Sequence, residues 1–155
     1  MTLLSKLKLG HVETTNLAPG INVKTLKHKN IVFTSWSLKG SDQRSGIFDE
    51  YFESTKGIIF VVDVNLFGAN NFKRILRAKE ELHGLLQEDM LLGIPLLVVA
   101  NKTDLPDAMT VDKVKEAMSL GLIKDRRWKI QGTSAKQGDG VFEGLGWLSK
   151  EVEDG

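Results

Sequence analysis

The chain of 155 residues contains no cysteine. Disulfides, thiolate metal sites and cysteine nucleophiles are thereby excluded. Neither sign of charge dominates: 21 Lys and Arg stand against 20 Asp and Glu, for a net charge of +1. Without a basic surplus to neutralise phosphates, nucleic-acid binding is not expected as the main activity. The three histidines, His11, His28 and His83, lack ligand spacing, so surface or capping roles fit them better than a metal. No apolar run approaches the ~20 residues needed to span a bilayer. The first ten residues mix lysine with leucine and lack the apolar core of a signal peptide. A cytoplasmic protein with one domain over residues 1–155 is expected, without repeats or low-complexity linkers. One further absence weighs most. No Gly-x-x-x-x-Gly-Lys-Ser/Thr occurs anywhere, so the backbone cradle and lysine that hold β- and γ-phosphates are missing from the sequence.

What is present is an alternation of apolar strands and amphipathic helices. Residues 57–64 (G-I-I-F-V-V-D-V) and 96–100 (L-L-V-V-A) are continuous apolar runs, the pattern of strands covered on both faces. Residues 72–88, 110–118 and 140–152 carry helical periodicity, and Thr110 is a good N-cap. A short strand is predicted at 128–132. Residues 21–27 and 31–37 read as a hairpin turning at His28-Lys29-Asn30. A helix is predicted at 2–9 and a short one at 47–54. Loops are predicted at 11–20, 38–46 and 66–71, the last a candidate contact site. The sum is an α/β protein with a mostly parallel sheet.

The chemistry concentrates after two of these strands. Asn101-Lys102-Thr103-Asp104 follows the run ending at Ala100. A carboxylate at the fourth position of such a motif accepts two hydrogen bonds, from guanine N1–H and its exocyclic amine; adenine lacks that donor pair. Thr133-Ser134-Ala135-Lys136 follows the next strand. In the guanine-binding architecture a Ser-Ala-Lys segment presents backbone N–H to the guanine O6, while the stem of Lys102 covers the base plane. Asn101, Lys102, Asp104, Ser134, Ala135 and Lys136 are therefore the candidate guanine site.

With these motifs the chain resembles the ADP-ribosylation-factor (Arf) family of small Ras-like GTPases, from about residue 2 to 152. The resemblance is carried by Lys6-Leu7-Lys8-Leu9-Gly10, Gly20 with Asn22-Val23, Trp36, Tyr51-Phe52, the run 57–63, Ala100 through Pro106, Gly138-Asp139-Gly140 and Gly144 through Leu148. It implies a Ras-like P-loop NTPase sheet with flanking helices, from which the central first strand is missing here. In the family that strand lies between the hairpin half 31–37 and the strand 57–64. Its loss implies two open edges and an apolar slot. Direct pairing of the two edges, self-association, a strand donor from a partner, or residues preceding this sequence would each close it.

The phosphate end departs from the family pattern. Ala18 stands where the resemblance implies a metal-binding Thr. Trp36-Ser37-Leu38-Lys39-Gly40-Ser41 stands for Trp-Asp-Val-Gly-Gly-Gln. Ser37 replaces an Asp of the metal shell and Ser41 the Gln that orients the attacking water. Gly40 alone survives as a phosphate-binding position. Phosphoryl transfer depends on positioning and charge stabilisation, so no catalytic residue and no metal ligand is assigned. GTP or GDP is expected to bind weakly, and Mg²⁺ is not expected. The resemblance also implies an effector surface, formed here by Ile21, Trp36 and Tyr51, and hence a protein partner at the hairpin and switches. The chain carries no Met-Gly start for a myristoyl anchor, so no direct membrane anchor is expected. The expected function is a degenerate, non-hydrolysing guanine-nucleotide-binding-type or protein-interaction module, a pseudoGTPase. The alternative is a working GTP switch whose phosphate-binding segment precedes this sequence.

Overall fold

A computed structural model describes residues 52–65, 70–134 and 140–155 with their side chains, and the backbone of 13–18, 21–28 and 31–38. The expected helix at 2–9, most of that at 47–54, and most of the loops 38–46 and 66–71 lie outside the described residues.

Three strands form an antiparallel sheet: β1 (Glu13–Ala18), β2 (Ile21–His28) and β3 (Ile31–Leu38), in the order β1-β2-β3. The expected hairpin is present, with His28 opposite Ile31 and Ile21 opposite Leu38. The loop expected over 11–20 is corrected: residues 13–18 pair with β2 in an interrupted register, Asn16 opposite Asn22 and then Ala18 opposite Ile21. Asn16, Pro19 and Gly20 suggested a loop, but backbone pairing with β2 outweighs the low strand propensity of one asparagine.

The second sheet is parallel. β4 (Ile58–Asp63), β5 (Leu96–Asn101) and β6 (Trp128–Thr133) lie in the order β4-β5-β6. Its registers set Asp63 opposite Asn101 and Asn101 opposite Thr133, so the polar ends of all three strands fall on one line. The two sheets are separate: among the described residues β3 and β4 are not paired with each other, so direct closure of the two edges does not occur.

Helices cover both faces of the parallel sheet. α1 (Asn71–Leu85) buries Ile75 and Leu82, two turns apart on one face. α2 (Val111–Ala117) buries Val114, and its N-cap Thr110 accepts the Lys113 N–H through its hydroxyl. Both pack on the face bearing Ile58, Val62, Leu96, Val98 and Ala100. α3 (Val141–Asp154) lies on the other face, where Leu148 meets Leu97 and Val99. β5 is buried along Leu96–Ala100 because it is the middle strand with helices on both sides.

One polar side chain is embedded in this frame. The Arg126 guanidinium is fully enclosed and donates to the carbonyls of Leu86 at 3.0 Å and Leu91 at 2.8 Å. It also pairs with Asp125 at 3.0 Å, which holds the Asp125 carboxyl below its ordinary range. Three carbonyls of the connection from α1 to β5, counting Ile94 at 3.4 Å, thus converge on the residue that leads into β6. Such a buried cation is tolerated only when its donors are satisfied.

Candidate functional site

The site is built at the carboxyl ends of β4, β5 and β6, where side chains leave the buried strands at a common level. This end of an open parallel sheet is the usual ligand position. Thr133, the last residue of β6, is buried, and its hydroxyl donates to Asn101 Oδ1 at 3.1 Å. The Thr133 carbonyl in turn accepts the Thr103 backbone N–H at 3.1 Å and the Thr103 hydroxyl at 2.9 Å. The segment after β5 is therefore tied to the end of β6 by backbone and side chain together, which fixes the orientation of the Asn101 amide.

The next residue repeats the device. Ser134, also buried, donates from Oγ to Asp104 Oδ1 at 2.9 Å. The half-buried carboxylate is held in one rotamer while Oδ2 has no partner among the described residues. A fixed carboxylate with acceptor capacity to spare is what a base edge carrying two adjacent N–H donors needs. The donor set thus fits a guanine, and Asn101, Asp104 and Ser134 are the residues that would hold its edge.

Lys102 turns differently from its neighbours. Its φ of 72° is left-handed, an uncommon conformation for a side chain with a Cβ. The turn is closed by the Leu105 N–H to the Lys102 carbonyl and the Ala108 N–H to the Leu105 carbonyl. The lysine ammonium lies 2.6 Å from Asp63 Oδ2 at the end of β4. Asp63 also accepts the Asn65 N–H at 3.0 Å through Oδ1. Burial by itself would raise the Asp63 pKa; the Lys102 and Asn65 hydrogen bonds, with the charges of Lys102 and Arg74, outweigh it and hold the carboxyl below its ordinary value. The stem of Lys102 crosses from the end of β5 to the end of β4, along the edge of the site.

The loop that follows is anchored from below. The Val64 N–H donates to the Asn101 carbonyl, and the Met109 N–H donates to the Val64 carbonyl at 2.8 Å. Asn65 and Ala108 form an isolated bridge. The two loops leaving β4 and β5 are thereby joined, so the base-edge residues rest on rigid elements.

On the opposite side, Gly140 begins α3 with φ 75°, and a Cβ there would lie 2.1 Å from the Gly132 carbonyl. Only glycine allows both that conformation and that approach. The chain leaving Ser134 is in this way returned to the sheet directly behind β6.

Of the residues expected from sequence, Asn101, Lys102, Asp104 and Ser134 come together at one end of the sheet. Ala135, Lys136, Gly40 and Tyr51 lie outside the described residues. Ile21 and Trp36 are in β2 and β3, and the register assigns residues 21 and 36 to the same face of that sheet. Sequence reasoning missed the roles of Asp63, Thr103 and Thr133 in holding these groups. The signal was available in part: all three are polar residues at the end of, or just after, an apolar strand. Among the described residues, no group of three or more His, Asp or Glu side chains gathers in one place, and no helix is long and apolar enough to cross a membrane.

A family model described as Arf, the ADP-ribosylation factor family, matches residues 1–152.

Proposed function

The chain belongs to the ADP-ribosylation factor family of small GTPases, and from that premise we propose that it recognises the guanine base without hydrolysing a bound nucleotide. The observation that carries the first half is the Ser134 to Asp104 hydrogen bond of 2.9 Å, beside the Thr133 to Asn101 bond of 3.1 Å. These contacts orient a carboxylate and an amide before any ligand arrives, which lowers the ordering cost of binding. When bound, guanine would supply N1–H and an exocyclic amine to Asp104 and its N7 and O6 edge to donors nearby. Asn101 supplies the amide beside the base, and Lys102 contributes its aliphatic stem.

The second half rests on the residues opposite that pocket in the family pattern. Ala18 offers no hydroxyl to a metal. Ser37 offers no carboxylate, and Ser41 no carboxamide to orient water. With those groups replaced, the negative charge on a triphosphate lacks the counter-charge that phosphoryl transfer demands. Gly40 remains as a backbone donor for a phosphate. The chain acts in this reading as an interaction module presenting Ile21, Trp36 and Tyr51 to a protein partner. The shared face of residues 21 and 36 in the hairpin supports that assignment.

Calorimetric titration with GDP, GTP and ATP, with and without Mg²⁺, tests the proposal, together with a phosphate-release assay. Guanine-selective binding without phosphate release is the expected result. Release above buffer, or tight Mg²⁺-dependent binding, would favour the second reading: a working GTP switch completed by a phosphate-binding segment preceding this sequence. The intact base-edge contacts are what favour that reading.

A further inference from the structure

The base-reading motif is held from the strands on either side of it. Asn101 and Asp104 are fixed from β6, by the hydroxyls of Thr133 and Ser134 at 3.1 and 2.9 Å. Lys102, between them in sequence, has a left-handed backbone with φ 72°, and its side chain leaves in the other direction. Its ammonium lies 2.6 Å from the carboxylate of Asp63, the last residue of β4. That carboxylate is fixed independently of the lysine. Oδ1 accepts the Asn65 N–H at 3.0 Å, and Asn65 is bridged to Ala108. Oδ2 is the oxygen that takes the ammonium. The Val64 N–H on the Asn101 carbonyl at 3.1 Å holds the two strand ends in register.

What this offers a ligand is methylene surface rather than charge. A lysine stem is apolar, but a flat ring can pack on it only once its rotamers are stopped, and stopping them opposes binding. The ion pair stops them independently of any ligand. With the ammonium engaged at β4, the stem is stretched from the end of β5 to the end of β4. The Lys102 side chain keeps 49% of its surface exposed, so the stretched stem has a face on which a ring can lie.

We propose that Asp63 is a positioning residue of the base site: by holding the Lys102 ammonium it sets the lysine stem as an apolar wall for one face of the purine ring. Resting on the guanine pocket proposed above, this assignment divides the work between two carboxylates. Asp104 meets the edge of the base, where guanine and other purines differ in their donors. Asp63 acts through Lys102 on the ring face, which all purines share. It therefore adds affinity without adding discrimination between bases. The ammonium of Lys102 is committed to Asp63 and not to a ligand phosphate, so a nucleoside and its diphosphate gain equally from the pair.

Calorimetric titration of the chain and its variants at pH 7 with GDP, guanosine and inosine diphosphate, which lacks the exocyclic amine, tests this. Asp63→Ala should weaken all three by the same factor of about 2- to 12-fold, the scale of ordering one long side chain on binding. The ratio of GDP to inosine diphosphate affinity should stay at the wild-type value. Lys102→Met keeps an apolar stem without the ammonium and should lose a similar factor. In that background Asp63→Ala should cost nothing further, because both changes remove one interaction. Asp63→Glu, which keeps the carboxylate, should recover part of the affinity. Losses that add in the double variant, a changed ratio between the two diphosphates, or a loss for GDP but not for guanosine would each overturn the proposal. Unchanged GDP affinity in Asp63→Ala, or in Lys102→Met where the first variant does not fold, overturns it while leaving the guanine pocket standing. A wild-type chain that binds none of the three ligands overturns the pocket itself, and the role of Asp63 with it.

Discussion

The ammonium of Lys102 and the carboxylate of Asp63 meet at 2.6 Å across the ends of two adjacent parallel strands. The lysine belongs to the base-reading motif, yet its charge is satisfied by a residue 39 positions earlier. The bond couples the loop after β4 to the loop after β5 at the mouth of the site.

Acid should release this coupling. The Asp63 carboxyl has a folded pKa below its ordinary value, so its contribution to stability is present above about pH 4. It is lost as pH falls through the folded value. Urea titrations of wild type and Asp63→Asn should differ at pH 7 and converge as the pH falls through the lowered folded value. Equal stability of the two proteins at pH 7 would remove the pair as a stabilising element.

Ser134→Ala should weaken guanine-nucleotide binding by about 10- to 150-fold, the scale of one hydrogen bond to a charged group. The fold should persist, as measured by circular dichroism. Asp104→Ala should remove selectivity for guanine over adenine nucleotides altogether, because the acceptor itself is gone. Calorimetric comparison of GDP with ADP separates the two effects.

Arg126→Met should destabilise the chain by about 2–4 kcal/mol, since buried carbonyls of Leu86 and Leu91 lose their donors. Arg126→Lys should recover part of this loss, because a lysine keeps the charge but cannot fork to two separate carbonyls. Guanidinium denaturation reads both. Nucleotide affinity should change little at temperatures where the variants remain folded, since Arg126 sits at the other end of the strands.

Gly140→Ala should be among the most costly single-methyl additions in the chain. The φ of 75° disfavours any side chain, and the new Cβ would lie 2.1 Å from the Gly132 carbonyl. Melting should fall by several degrees or more, with loss of guanine binding as Ser134 is displaced. Gly93 offers the control: its φ is 71° but a Cβ there meets nothing within 4 Å. Gly93→Ala should carry only the conformational cost of about 1 kcal/mol.

The sequence by itself determined the helices at 71–85, 111–117 and 141–154 and the buried strands β4 and β5, each within a few residues. Periodicity and continuous apolar runs register burial directly, residue by residue, without reference to distant parts of the chain. It also singled out the candidate base-site residues, since Asn101-Lys102-Thr103-Asp104 and Thr133-Ser134 are contiguous. It failed at β1, where strand character depends on pairing with β2 rather than on the composition of Glu13–Ala18. Only the tertiary structure decided what holds the site: Thr133 on Asn101, Ser134 on Asp104 and Asp63 on Lys102 are contacts between residues about 30 to 40 positions apart, set by parallel register. Strand order is likewise a property of which elements meet, and no local pattern encodes it.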